Sequence, residues 1–221
     1  MSSASELVRQ HVGPAALDIY EAMTSAFVQG HREWSRLPGH GDHPYLLSHL
    51  VRVYARSCWK DAVPLGWRLA GNPKMGGQIL LIHDEAGLQL RLRKENQRIH
   101  PGGVPSAGRT RAQYASWTQE RLDLVIPRAP VERVPGECIE LLLLMDWARR
   151  VDHWSVTARV VHPVAAGAFG HRVPFDFSMD LTPGTDLWAK LQFSGDEEPE
   201  DFFAEMDVED RDYLDGTDGG F

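Results

Sequence analysis

"QILLIHDEAGLQLRLRK" (residues 78–94) is the stretch from which the fold is read. Two apolar-rich runs flank "EAG" (85–87), and in the second Leu88, Leu90 and Leu92 alternate with Gln89, Arg91 and Arg93. A period of two puts the leucines on one face of a strand and the polar residues on the other. Gly87 suits the turn, because a tight hairpin needs a residue that reaches positive φ without steric cost. The stretch predicts a β-hairpin with one face on a core.

The same period returns downstream. "CIELLLLMDW" (138–147) and "HWSVTARVVHP" (153–163) predict a second hairpin that turns at "ARRVD". In "HRVPFDFSMDL" (171–181), Val173, Phe175, Phe177 and Met179 alternate, which predicts a fifth strand. Pro174 has no N–H to give a neighbour and points to an edge position. Upstream the period lengthens. From Pro14, Ile19, Ala22, Met23, Ala26 and Phe27 recur at helical spacing, and the helix ends before Pro38. Leu47, Leu50, Val51, Tyr54 and Cys58 form the stripe of a second helix, from about 43 to 60. "RTRAQYASWTQERLDLV" (109–125) predicts a third, with Tyr114 and Trp117 packed on the sheet. Helices and hairpins are segregated along the chain. The order predicts an α+β fold, with N-terminal helices packed on a mainly antiparallel sheet of hairpins, followed by a disordered acidic C-terminal tail. The division expected is a single domain over 1–194 and a tail over 195–221.

Composition supports one core of useful size, since 43% of the 221 residues are apolar. No apolar run approaches the roughly 20 residues of a membrane span, so no membrane association is expected. "MSSASELVRQHVG" at the start lacks the basic and apolar segments of a secretory signal. Cys58 and Cys138 read as buried thiols of a reducing compartment, and a cytoplasmic location is the expectation. Charge is uneven. Residues 195–221 hold 12 acidic residues and one arginine, while residues 86–133 hold 9 basic and 4 acidic residues. The net charge of -8 therefore comes from the tail and does not by itself argue for nucleic acid.

Candidate chemistry gathers in "PGHGDHPYLLSH" (38–49), where His40, Asp42 and His43 could ligate zinc or another divalent metal. The H-G-D-H run partly resembles the H-x-H-x-D-H signature of the metallo-β-lactamase family, with Pro38 in place of the first histidine. That resemblance implies a metal-activated water and a hydrolase. The plainer reading is a helix entrance, with Asp42 or His43 as cap and Pro44 in the first turn. Glu21, Asp84 and Lys94 resemble part of a restriction-endonuclease-like nuclease core, but Leu92 stands where that core needs an acidic residue. No nucleophile elbow, P-loop, dinucleotide fingerprint or C-x-x-C occurs. No catalytic residue is assigned, and no cofactor beyond that metal is expected.

Binding features are more plentiful. Arg91, Arg93, Lys94, Arg98, Arg109 and Arg111 form a basic middle that could contact nucleic acid or an acidic partner. In the tail, Phe202, Phe203, Met206, Tyr213 and Leu214 are interleaved with carboxylates, a pattern that suits docking on a basic, grooved protein partner. A helix ending in "HREW", a hairpin ending in "LRLRKEN", a T-x-x-Q…W-x-Q helix and an "LLLMDW" strand together resemble uncharacterised actinobacterial proteins, some encoded near phage or mobile-element genes. The 19 arginines against 4 lysines suit a GC-rich coding sequence. The resemblance implies no activity and no site residue. The expectation is a non-catalytic interaction or regulatory protein whose acidic tail binds a protein partner. The alternatives are a metal-dependent hydrolase or nuclease at His40, Asp42 and His43, and a nucleic-acid-binding domain built on the basic hairpin.

Overall fold

The computed structural model describes residues 3–74, 78–108, 110–124, 138–149, 151 and 153–183. Elements follow in the order α1 (Ala4–Val12), α2 (Ala16–Ser35), α3 (Pro44–Asp61), β1 (Arg68–Ala70), β2 (Leu80–His83), β3 (Leu88–Lys94), α4 (Arg111–Trp117), β4 (Ile139–Arg149), β5 (Trp154–Pro163) and β6 (Phe175–Asp180). The strands form one six-stranded sheet in chain order, every pair antiparallel except β3 with β4. The expected α+β fold is the fold observed. The tail over 195–221 lies outside the described residues.

The predicted hairpin pairs Leu80 with Arg91 and His83 with Leu88. Gly87 takes φ 58° at its turn, a conformation costly for any residue with a Cβ. The second hairpin pairs Leu142 with Val161 and Arg149 with Trp154. Between the hairpins the chain crosses over, and β3 runs parallel to β4 from Leu88↔Ile139 to Lys94↔Met145. Because β4 lies inside the sheet, both its faces are covered. Leu141, Leu143 and Met145 join the core under α1–α3, while Leu142 and Leu144 join Val104, Trp117, Val161 and Val173 on the opposite face. Each of these five β4 residues is at most 2% exposed, and burial of each contributes about 1.5–3 kcal/mol.

Several expectations need correction. The N-terminal segment, for which no element was predicted, forms α1, capped by Ser3, whose Oγ accepts the Glu6 N–H at 3.2 Å. Pro14 belongs to the turn between α1 and α2 rather than to a helix. β1 is an extra strand of three residues, too short for periodicity to register. The helix expected over 109–125 ends at Trp117, because tertiary partners claim the residues just beyond it. The Gln119 side-chain amide pairs with both the N–H and the C=O of Glu140, and the Leu122 N–H donates to Asp176 at 2.6 Å. Trp117 is buried as expected, but Tyr114 is exposed. Cys58 and Cys138 are free thiols, each half-buried rather than buried.

Two contacts hold the helices in place. Gly30 of α2 lies so close to α3 that a Cβ there would meet the Val51 backbone nitrogen at 3.0 Å. His83, 6% exposed, receives the Ala86 N–H at Nδ1 (3.1 Å), stands 4.5 Å from the His11 ring of α1 and meets Trp67 edge-on. Burial, and then the nearby His11, hold the His83 imidazole below the usual histidine range, against the weaker pull of Glu85 and Asp84. The unfolded chain therefore takes up the proton first. Stability is full above about pH 6.5 and falls as the pH drops below it. Urea titrations across pH 5–8 are expected to show that loss in the native protein and a reduced slope in His83→Gln. Leu143→Ala is expected to lower the unfolding free energy by about 2–5 kcal/mol in the same titration.

A candidate anion-binding cleft between α3 and the β3–β4 edge

β2 ends its pairing with Arg91 of β3, while β3 continues to Lys94 along β4. Leu92 still donates its N–H to the Ile79 carbonyl at 3.2 Å, Arg93 and Lys94 lie beyond the end of β2, and the first half of α3 lies beside them. This overhang forms a shallow cleft lined by Ser48, Val51, Arg52, Leu92, Arg93, Lys94, Met145 and Trp147. Its floor is closed core, since Val51, Leu92 and Met145 are 2–6% exposed, while half-buried Trp147, Arg52 and Lys94 stand at its rim.

The charges arrive from different elements. Arg52 projects from α3, one residue after the buried Val51. The Arg93 guanidinium lies 5.6 Å from the centre of the Trp117 ring, and the Lys94 ammonium lies 4.1 Å from that of Trp147. Each cation–π contact offsets part of the cost of desolvation. Among the described residues none of the three forms a salt bridge. Burial lowers the pKa of all three. For Arg93, burial followed by the charges of Arg91 and Arg52 brings it to about 10. Lys94 feels the exposed Arg98 as well, and Asp146 is the carboxylate that draws its charge back. Burial in turn lifts Asp146 above the usual carboxylate range. The other nearby acid, Glu95, is already taken, since Arg159 donates to it at 2.6 and 3.3 Å.

The basic middle of the sequence is therefore divided. Arg93, Lys94 and Arg98 gather at or beside the cleft. Arg91 turns inward, 8% exposed, and reaches Glu140 at 3.4 Å and the Ser116 hydroxyl at 3.3 Å. This face of β3 is covered by α4 and the loops around it. Arg111 is exposed at the start of α4, and Arg109 lies outside the described residues, as do Phe202, Phe203, Met206, Tyr213 and Leu214. Periodicity did not single out Ser48, Arg52 or Trp147. Ser48 and Arg52 are four apart, so they share a helix face, but nothing local says that the face overhangs a strand edge.

The histidine cluster is arranged around aromatic rings. His40 stands edge-on to Trp34 at 4.5 Å and His43 edge-on to Tyr45 at 5.8 Å. The His43 carbonyl accepts the Trp34 indole N–H at 3.2 Å. His43 occupies the cap position of α3 without a side-chain bond, Pro44 is the first helical residue, and Gly39 takes φ 67° before the turn at His40–Asp42. Among the described residues, no group of three or more His, Cys, Asp or Glu side chains could hold a metal ion. Glu21, Asp84 and Lys94 are not brought to one site, and Asp84 is held by Arg68 through two hydrogen bonds. Also among the described residues, no helix is long and apolar enough to cross a membrane.

No protein-family model matches the sequence, and no curated protein or solved structure matches it.

Half-buried cations without a salt bridge make the cleft a place where an anion relieves electrostatic cost. Inorganic pyrophosphate is expected to raise the melting temperature of the full chain at constant ionic strength. An anion at about thirty times its Kd adds about 2 kcal/mol to the unfolding free energy. In Arg52→Ala/Lys94→Ala the rise is expected to vanish, and melting of that variant without pyrophosphate is expected to match or exceed that of the native protein.

Proposed function

We propose that this chain is a non-catalytic interaction protein whose α+β domain receives an acidic, partly apolar segment of a protein through the cleft beneath α3. The observation that carries this reading is the meeting of Arg52 of α3 and Lys94 of β3 at one cleft, with neither in a salt bridge among the described residues. Structural arginines in this fold look different. Arg159 has Glu95, Arg68 has Asp84, and Arg91 has Glu140. Leaving half-buried cations without a bound carboxylate costs stability through desolvation and through repulsion from neighbouring charges. A ligand that supplies carboxylates offsets both.

The cleft favours a peptide over a nucleic acid. The half-buried Trp147 ring between Lys94 and Arg52 suits an apolar side chain flanked by acids. A sugar–phosphate chain is followed by an extended basic track, and here the track is broken where Arg91 turns inward. The acidic–aromatic segment over 195–221 is the second interaction element of this reading.

Fluorescence anisotropy on the full chain separates the possibilities. The probes are a labelled synthetic peptide of alternating glutamate and phenylalanine, and a labelled duplex DNA. The peptide is expected to bind, and Arg52→Glu or Lys94→Glu is expected to weaken it tenfold or more. DNA binding with a steep salt dependence that the same variants abolish would replace this reading with the nucleic-acid one. Peptide binding that ignores both variants would remove the cleft from it.

A further inference from the structure

The reading of the cleft as a receptor for an acidic segment leaves its occupant open. We propose that the occupant is the chain's own segment around Asp196–Asp210, folded back on the same molecule, so that an external partner must displace it. This inference rests on the receptor reading and adds an autoinhibitory contact to it.

Three observations point to this occupant. The first is where the described chain leaves the sheet. The Leu181 N–H donates to the Ala158 carbonyl at 2.8 Å, Ala158 pairs with Met145, and Met145 pairs with Lys94. The end of β6 and the cationic end of β3 therefore lie in one row across the sheet. Three strand spacings of roughly 4.8 Å separate them, about 14 Å in all. The second is length. From Pro183 to Phe202 the chain has 19 residues to span that distance, and an extended chain covers about 3.3 Å per residue. Reach is no obstacle, and a short tether keeps the local concentration of the segment high.

The third is chemical fit. "DEEPEDFFAEMDVED" (196–210) places Phe202, Phe203 and Met206 among nine carboxylates and no cation. The cleft offers the converse: the half-buried Trp147 ring, with the Lys94 ammonium 4.1 Å from its centre and Arg52 beside them. Outside this segment, residues 1–194 carry a net positive charge of about 3, so attraction between the two parts of the chain is also long-ranged.

Zero-length carbodiimide cross-linking of the full chain tests the contact, because the sequence has four lysines and one of them lines the cleft. Lys94 is expected to join to Glu197, Glu198, Glu200 or Asp201 at a yield at least fivefold above that of Lys60 or Lys74, within one molecule in a mixture of light and isotope-labelled protein. Phe202→Ser/Phe203→Ser is expected to remove most of that yield without touching the folded core, and Arg52→Glu to do the same from the other side. Equal yields at Lys60, Lys74 and Lys94, no Lys94 link at all, or links only between light and labelled molecules would overturn the inference. If the link is absent while the glutamate–phenylalanine peptide still binds and Lys94→Glu still weakens it, the occupant fails and the receptor stands. If peptide binding is also absent, both fail. Should the inference hold, Phe202→Ser/Phe203→Ser is expected to tighten binding of the added peptide several-fold, because the competitor has been weakened.

Discussion

The burial of β4 on both faces is the constraint from which the other features of this molecule derive. Five consecutive apolar residues, Leu141–Met145, cannot be covered by a single layer, because alternate side chains leave a strand in opposite directions. The helices α1–α3 cover one set and the α4 region covers the other. That demand forces β4 into the sheet interior, with β3 on one side and β5 on the other. It also requires the long connection from β3 to β4, since two parallel neighbours cannot be joined by a tight turn. The connection carries Trp117 and Val104, which close the second core.

The cleft is a by-product of unequal strand lengths under that arrangement. β2 has four residues and β3 has seven, so β3 outruns its outer neighbour and leaves an edge beneath α3. An unpaired edge is normally protected by charge or by a covering element, and both occur here. Lys94 and Arg93 supply charge, and α3 covers the edge with Val51 and Arg52. What distinguishes the site from ordinary edge protection is that neither Arg52 nor Lys94 forms a salt bridge among the described residues.

Local patterns carried much of the fold. Both hairpins, the strand before Asp180 and the stripes of α2 and α3 were legible because alternation and helical spacing record which face meets a core. α1 was legible in principle. Ser3 and Glu6 stand at the spacing of a capping box, a signal that a search for long apolar stripes passes over. The end of α4 was not legible, because Gln119 and Leu122 are drawn off by Glu140 and Asp176, 21 and 54 residues away. The parallel pairing of β3 with β4 was also hidden. Hairpin patterns describe neighbours in sequence, whereas this pair is joined through more than forty residues.

The candidate site divides the same way. Composition alone established an acidic, aromatic-bearing C-terminal segment and a basic middle, because charge is a property of residue types and survives without coordinates. Which of the basic residues serve binding was decided by tertiary structure. Arg91 and Arg93 read as equivalent along the strand, two residues apart on one face. In the fold the first is neutralised by Glu140 from the adjoining strand, and the second lies past the end of β2 with its guanidinium over the Trp117 ring. Sequence periodicity assigns a residue to a face. Only the lengths and neighbours of the surrounding elements determine whether that face is filled, paired or left open.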